Sequence, residues 1–467
     1  MKHRRSRIRS IRRIFLASCL GFLGCLAALA IFTHVPQWAS AFEAATDPDR
    51  VALRLALKGD RDLGEVYASR YFRPIWTARG RATPDAERFL HVLALSGRDD
   101  LDPARYEASA LIGIVTKVHN SSAGARAQLE LRLSHAFLQY ISDLHTPLAA
   151  TRLAYTDPAL VPPGPPSPKA MLAMFARSAD LSSALIDATR MNPIYLQYRA
   201  ALGAHLLDHD PAVASLLRVN LERARALPVL LGRRYLLVDT ASASLWFYRD
   251  SRPVDSMKVV VGTQAEPTPL LAGVVRYTVF NPYWNVPPDL VRRTYAPRIL
   301  ARPAILSQLR MDAWSDYSPS GQVLNTSAVD WAAVSRGSSS VGLRQRPGAN
   351  NFMGAAKFMF PNEFGIYLHD TPERGLFLRD QRTFSAGCVR VEDYRRLVSW
   401  LYGGSVGPHG EAPEQRVNLP SPVPVYITYF TADLAGSSVV RVADTYGRDP
   451  AVLTEISLRQ AAPSSKL

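Results

Sequence analysis

The segment Tyr367–Val391, YLHDTPERGLFLRDQRTFSAGCVRV, places one of ten histidines, His369, nineteen positions before one of three cysteines, Cys388. A thiol becomes a useful nucleophile near neutral pH when a base or a positive field helps it ionise, and an imidazole is the usual base. Ser385-Ala386-Gly387-Cys388 is a turn of small residues. Such a turn lets a substrate backbone approach closely and leaves backbone N–H groups free to hold an oxyanion. Nucleophile, base and oxyanion donors are the parts of an acyl-transfer site. The same two residues also fit an inert buried cysteine and a histidine of purely structural use, and residue type alone leaves both readings open.

The elements around this pair determine where it sits. Phe364–His369 reads as a strand that Asp370-Thr371-Pro372 breaks, which places His369 near its end. Residues 374–384 are polar and loop-like. Glu392–Tyr402 is an amphipathic helix with Tyr394, Leu397, Val398 and Leu401 on one face and Gly403-Gly404 as its stop. Cys388 therefore stands just ahead of a helix.

The chain has 467 residues, 47% hydrophobic and 20% charged, which fits a globular protein with room for two or three domains. Residues 43–227 read as helical. Thr83-Pro84-Asp85 opens one helix, Leu101-Asp102-Pro103 another, and apolar residues recur at three- and four-residue steps from Leu129 to Leu144. Asp157–Pro168 is a proline-rich loop. From Arg234 the texture becomes β-branched and aromatic, with strands in RYLLVDTASASLWFY, PVDSMKVVVG, VVRYTVFNPYWNVP and PVPVYITYF. Between Pro288 and Gly342 the pattern loosens and turns partly helical, as an inserted lobe would. The fold class is thus α+β: a helical domain over 43–227, a mostly β domain over 228–447 with a lobe at about 289–342, and a C-terminal tail over 448–467.

The N-terminus is addressed outward. Met1–Arg13 carries seven of the basic residues behind a formal net charge of +15. The nineteen uncharged residues Ile14–Phe32 follow, and as a helix they would span roughly 28 Å, about one bilayer core. Positive charge ahead of an apolar run holds the N-terminus inside and sends the rest across. Ala39-Ser40-Ala41 is a candidate cleavage site. Residues 1–42 are read as a removed signal peptide or a retained anchor; Arg12-Arg13 leaves Sec and Tat export both open. The expected location is the periplasm or cell envelope, with a tether to the inner membrane through residues 14–32 as one alternative. Cys19 and Cys25 lie in this segment, so the exported part holds Cys388 alone and has no internal disulfide. No nucleic-acid motif is found, and the mildly basic remainder fits an anionic partner such as a membrane face or a polymer bearing carboxylates as well as it fits a merely soluble charged surface. His205 and His209 stand four apart, but no third ligand is evident; no metal and no cofactor are expected.

The chain resembles the YkuD-type L,D-transpeptidases, whose signature is a histidine followed by Ser/Thr-x-Gly-Cys-x-Arg/Asn. Here that is His369 and Ser385-Ala386-Gly387-Cys388-Val389-Arg390. The large YcbB-like branch is the most similar, through NLERARALP, VVVGTQAEPTP, NPYWNVPP, LRQRPGANNFMGAAKFMFPN, YLHDTP and PVYITYFTA, with YFRPIW and LDPARY in its helical scaffold domain. Two features depart from the family pattern. Ala386 stands where many members have histidine. Only about thirty residues separate Tyr198 from the β domain, which leaves no space for the peptidoglycan-binding module of large relatives.

The resemblance implies a peptidoglycan cross-linking enzyme. Cys388 is its nucleophile and His369 its general base and acid, with the Gly387 and Cys388 N–H groups at the oxyanion. It implies peptidoglycan stem peptides as partners, a donor tetrapeptide and an acceptor, and a capping role for the lobe. Arg390 orients the loop or meets a substrate carboxylate, which its planar fork suits. Tyr367 shares a strand face with His369 and can line the site, whereas Asp370 points to the other face and is not a third triad member. Ser385 is a helper candidate, and Trp284 lines either a donor groove or a core. A cysteine hydrolase of wall peptides and a non-catalytic wall-binding scaffold remain as alternatives; protein partners are not legible.

Overall fold

The computed structural model describes residues 45–162, 167–178, 180–206, 210–318, 320–436 and 438–461. The export segment, including Ile14–Phe32, and His209 lie outside the described residues. Among the described residues, no helix is long and apolar enough to cross a membrane. Among them, too, no group of three or more His, Cys, Asp or Glu is placed to hold a metal ion.

The first half is helical, and its helix starts follow local chemistry. Asp47, Thr83, Asn192 and Asp210 each accept a first-turn N–H and are followed at once by proline. Such a residue satisfies a donor that the helix cannot, and proline at the next position has none to lose. The central helix α1, Ala123–His145, buries Leu129, Leu133, Phe137, Tyr140, Ile141 and Leu144. Trp76, fully buried, stacks on Phe89 at 5.2 Å and Phe175 at 5.0 Å. Helix α2, Pro211–Arg225, leads into the β region with its last six residues all buried.

Eight strands then close on themselves. They are β1 Arg234–Asp239, β2 Ser244–Arg249, β3 Arg252–Gly262, β4 Leu271–Phe280, β5 Ala356–Met359, β6 Leu368–His369, β7 Val389–Val391 and β8 Gln415–Thr428. Around the ring the order is β5-β6-β7-β3-β2-β1-β8-β4 and back to β5. Successive side chains of a strand alternate between faces. Leu236, Val238, Leu245, Phe247, Val259, Val261, Phe358, Leu368, Val389, Val391 and Ile427 fill the inside, where Leu397, Val398 and Leu401 of helix α3, Tyr394–Tyr402, join them. On the outside, Tyr235, Leu237, Tyr248, Ala272 and Tyr426 belong to the same hydrophobic cluster as the helical half. The two halves therefore share one continuous core across the outer wall of the barrel.

Between β4 and β5 the chain leaves the barrel. Val286, Val291, Tyr295, Ile299, Met311, Trp331 and Leu343 form a separate core there. Strands Trp284–Asn285, Gly342–Gln345 and Met311–Trp314 make a three-stranded sheet, with Gly342–Gln345 in the middle. Past the last barrel strand, Asp449–Ala461 forms a further helix, α4, which buries Val452 and Ile456 against Val219 of α2.

The strand expected over Phe364–His369 is shorter than its pattern suggests, because only Leu368–His369 enters the ladder. Asn362 ties the preceding residues into a turn: its Nδ2 donates to the Phe360 and Ile366 carbonyls, each at 2.8 Å. Gly365 takes a left-handed φ of +65° within that turn. The helix expected over Glu392–Tyr402 begins two residues later, capped by Asp393, and stops at Gly403 as read.

Candidate active site

Strand register brings the two candidate residues together. β6 and β7 run parallel, with Leu368 paired to Val389 and His369 to Arg390. The Val389 N–H donates to the Tyr367 carbonyl at 2.9 Å, which sets Cys388 beside Tyr367. Because Leu368 and Val389 point into the barrel, Tyr367, His369, Cys388 and Arg390 point out on one face. On the other side of β6, β5 pairs Lys357 with His369. One outward row thus reads Lys357, His369, Arg390, and the next holds Tyr367 and Cys388. The imidazole and the thiol are diagonal neighbours on adjacent strands.

His369 is 2% exposed, and its Nδ1 lies 2.6 Å from the Asp370 backbone carbonyl. That contact assigns a proton to Nδ1, because a carbonyl can only accept. Asp370 orients the ring through its main chain. Its carboxylate turns away, accepts the Ala355 N–H at 2.8 Å and pairs with Arg374. Gly354 makes this anchor possible, since a Cβ there would lie 2.3 Å from Asp370 Oδ2. Burial above all, then the charges of Arg390 and Lys357, lower the His369 pKa to about 3, against the opposing pull of the Asp370 and Met353 carbonyls.

Cys388 is half-buried, with Sγ 3.6 Å from the Gly365 carbonyl. Burial pushes its thiol up, partly offset by the Tyr367 backbone, Lys357 and Arg390. Both members of the pair are therefore neutral at rest. The turn before the sulfur is held at both ends. Ser385 Oγ donates to the Cys388 carbonyl at 2.5 Å, and Thr268 Oγ1 donates to the Gly387 carbonyl at 2.8 Å while accepting the Gly262 N–H at 2.9 Å. With those carbonyls occupied, the turn presents its N–H groups. Among the described residues neither Gly387 nor Cys388 has a hydrogen-bond partner for its amide. Gly387 has φ +101°, a conformation that costs an L-residue about 1–2 kcal/mol. Gly387→Ala is accordingly expected to lower stability by that amount and, by reorienting the two amides, to slow Cys388 acylation about a hundredfold. A urea titration beside an acylation time course checks both.

The remaining candidates are spread around this face. Arg390 pairs with Glu373, and Tyr367 lies under the Lys357 ammonium, 3.9 Å from its ring centroid. Ser385 is buried and acts on the turn itself. Trp284 stands in the lobe, its ring 5.8 Å from Tyr295 and 4.8 Å from Phe352. Sequence reasoning missed Lys357 and Thr268. Lys357 had a signal, a lone charge in the apolar run Ala356–Phe360 whose Ala356, Phe358 and Phe360 are fully buried. Thr268 had none.

Residues 233–427 match the family model of the YkuD L,D-transpeptidase catalytic domain, and residues 61–202 match that of the Scaffold domain. The chain carries a YkuD L,D-transpeptidase catalytic domain behind a Scaffold domain. This catalytic domain contains the whole face described above. A relative from Haemophilus influenzae (strain ATCC 51907 / DSM 11121 / KW20 / Rd), named "Putative L,D-transpeptidase", is 31% identical over 249 residues, which cover 52% of this chain and 50% of the relative. The chain thus spans about half the length of the curated relative it matches. Among solved structures, an L,D-transpeptidase from Mycobacterium smegmatis aligns at 15% identity over 42% of this chain and 58% of its own, with a TM-score of 0.20. L,D-transpeptidase 3 from Mycobacterium tuberculosis aligns at 10% identity over 42% and 60%, with a TM-score of 0.21.

Proposed function

We propose that the chain is a peptidoglycan L,D-transpeptidase that works through a Cys388 thioester. The observation that carries this reading is the pairing of β6 with β7, which sets a neutral imidazole and a thiol on one face beside two unpartnered amides. Cys388 Sγ bonds to the carbonyl carbon of the third residue of a donor tetrapeptide while His369 Nε2 takes the thiol proton. The Gly387 and Cys388 N–H groups hold the oxyanion. The C–N bond to the terminal D-alanine then breaks, and His369 returns the proton to the departing amine. A side-chain amine on a neighbouring stem attacks the thioester, gives up a proton to His369 and releases the thiol. Arg390 and Tyr367 flank the donor, Ser385 holds the turn that carries the two amides, and Trp284 braces the lobe that borders it. The location that suits this chemistry is the cell envelope, outside the cytoplasm.

Purified protein incubated with tetrapeptide stems tests the reading. Cross-linked dimers together with an acyl adduct on Cys388, seen by intact mass, are the expected result. Tripeptides without dimers would reassign the protein as a wall-peptide hydrolase, and no adduct at all would leave it a binding scaffold.

The pH dependence has a definite sign. A base works when unprotonated, and the His369 pKa is depressed to about 3 rather than lying near 6.5. Acylation is therefore retained as pH falls through 6 and 5 and is lost only toward the depressed value. Single-turnover acylation rates between pH 4 and 8 check this; an acid limb centred near 6.5 contradicts it.

A further inference from the structure

Lys357 is a cation for which the proposed chemistry has no stated use. It lies on β5, half-buried, in register with His369. Among the described residues no carboxylate forms an ion pair with it. Its ammonium sits 3.9 Å from the centroid of the Tyr367 ring, in the row that holds Cys388. The other charges facing this site are compensated or displaced: Arg390 is paired with Glu373, and Arg416 lies over the Tyr277 ring at 3.8 Å. Glu414 acts on Lys357 only from a distance and accepts the Tyr283 N–H at 2.6 Å.

We propose that Lys357 is a positioning residue, the fixed counter-charge of the Cys388 thiolate. A half-buried ammonium without a carboxylate is costly unless an anion arrives beside it, and the thiolate formed during attack is that anion. The Tyr367 ring keeps the ammonium in place through its face. The same charge raises the acidity of a protonated His369, so that the imidazolium readily hands its proton to a leaving amine. The two effects share a sign: positive charge lowers the pKa of thiol and imidazole alike. Burial lowers the pKa of Lys357 itself, and Glu414 first and then the Cys388 thiolate oppose that shift.

The role rests on the thioester reading, but its test needs no wall peptide. The rate of Cys388 alkylation by iodoacetamide is measured against pH on the full chain, with the adduct located at Cys388 by peptide mass mapping. Lys357→Met is expected to move the ionisation midpoint of the thiol up by about one pH unit, a tenfold slower reaction at neutral pH. Lys357→Arg is expected to stay within about threefold of the wild-type rate. A midpoint unchanged in Lys357→Met, or the same upward shift in both variants, overturns the assignment. If the methionine variant does not fold, as judged by circular dichroism, Lys357→Gln carries the same comparison. A protein that makes no cross-links yet shows the shift keeps the Lys357 role while losing the proposed reaction; one that cross-links without the shift does the reverse.

Discussion

Cys388→Ala is expected to abolish acyl-adduct formation and to lower turnover of tetrapeptide stems by a factor on the order of 10⁴ or more, with an unfolding free energy within about 1 kcal/mol of wild type. The size of the loss follows from the role. Removing the nucleophile of a unit that acts together leaves only binding and the oxyanion donors, a small residue of the original acceleration. The small stability change follows from position. The side chain is half-buried on the outer face, its sulfur touches a carbonyl at 3.6 Å, and it is not part of the barrel core. The turn survives because its restraints, from Ser385 and Thr268, end on main-chain carbonyls that alanine keeps. Intact mass after incubation with substrate reads the first effect and urea titration the second. An alanine variant that still releases D-alanine at the wild-type rate would falsify the nucleophile assignment. His369→Gln belongs to the same argument but has a softer outcome, since a thiol without its base still ionises as pH rises.

How far the site was legible depends on which contacts are local. The alternation of a strand is written in its own residues, so Tyr367 and His369 on one face and Asp370 off it followed from spacing. The helix after Cys388 was equally local: Asp393, four apolar residues at helical steps, and Gly403 at a φ of +74°. Register is a property of two strands. Lys357 has a parity set by Phe358, but its place beside His369 depends on β5 pairing with β6, and nothing in either strand alone specifies that pairing. The orientation of His369 by a backbone carbonyl was hidden for a related reason, since every residue has a carbonyl and type carries no information. The helical half followed by a β half was plain from texture. That the two halves share one hydrophobic cluster was not, because outward residues such as Tyr235 and Tyr426 look like ordinary members of amphipathic strands. Helix α4 was harder still. Its polar contacts reach α2, 237 positions away, through Arg459.

That distant contact belongs to the least exposed charge cluster of the helical half, and Arg225→Met is expected to cost about 3–5 kcal/mol of stability. The Arg225 and Glu222 side chains are both 0% exposed and pair at 3.0 Å. Arg225 also donates to the Leu144 carbonyl at 2.8 Å and the Asp99 carbonyl at 2.5 Å, and lies over the Tyr195 ring at 5.1 Å. From α4, Arg459 reaches Glu222 at 2.8 Å and Asp100 at 3.3 Å. Asp100 shows the tension in this arrangement: burial and the neighbouring Glu222 push its pKa up to about 6, in spite of Arg459, Arg218 and Arg225. Taking away Arg225 leaves Glu222 buried with a single cationic partner and strands the carbonyls that end α1 and the Asp99 turn. Methionine fills the volume, so the loss is electrostatic rather than a cavity. The continuous core predicts how the loss is felt. Helix content followed by circular dichroism and amide hydrogen-exchange protection of β8 should shift to lower urea together, because the helical half and the outer wall of the barrel share one cluster. Two transitions, with the helices melting early and β8 protected to its wild-type midpoint, would show that the barrel holds without the helices and that this network supports only their side.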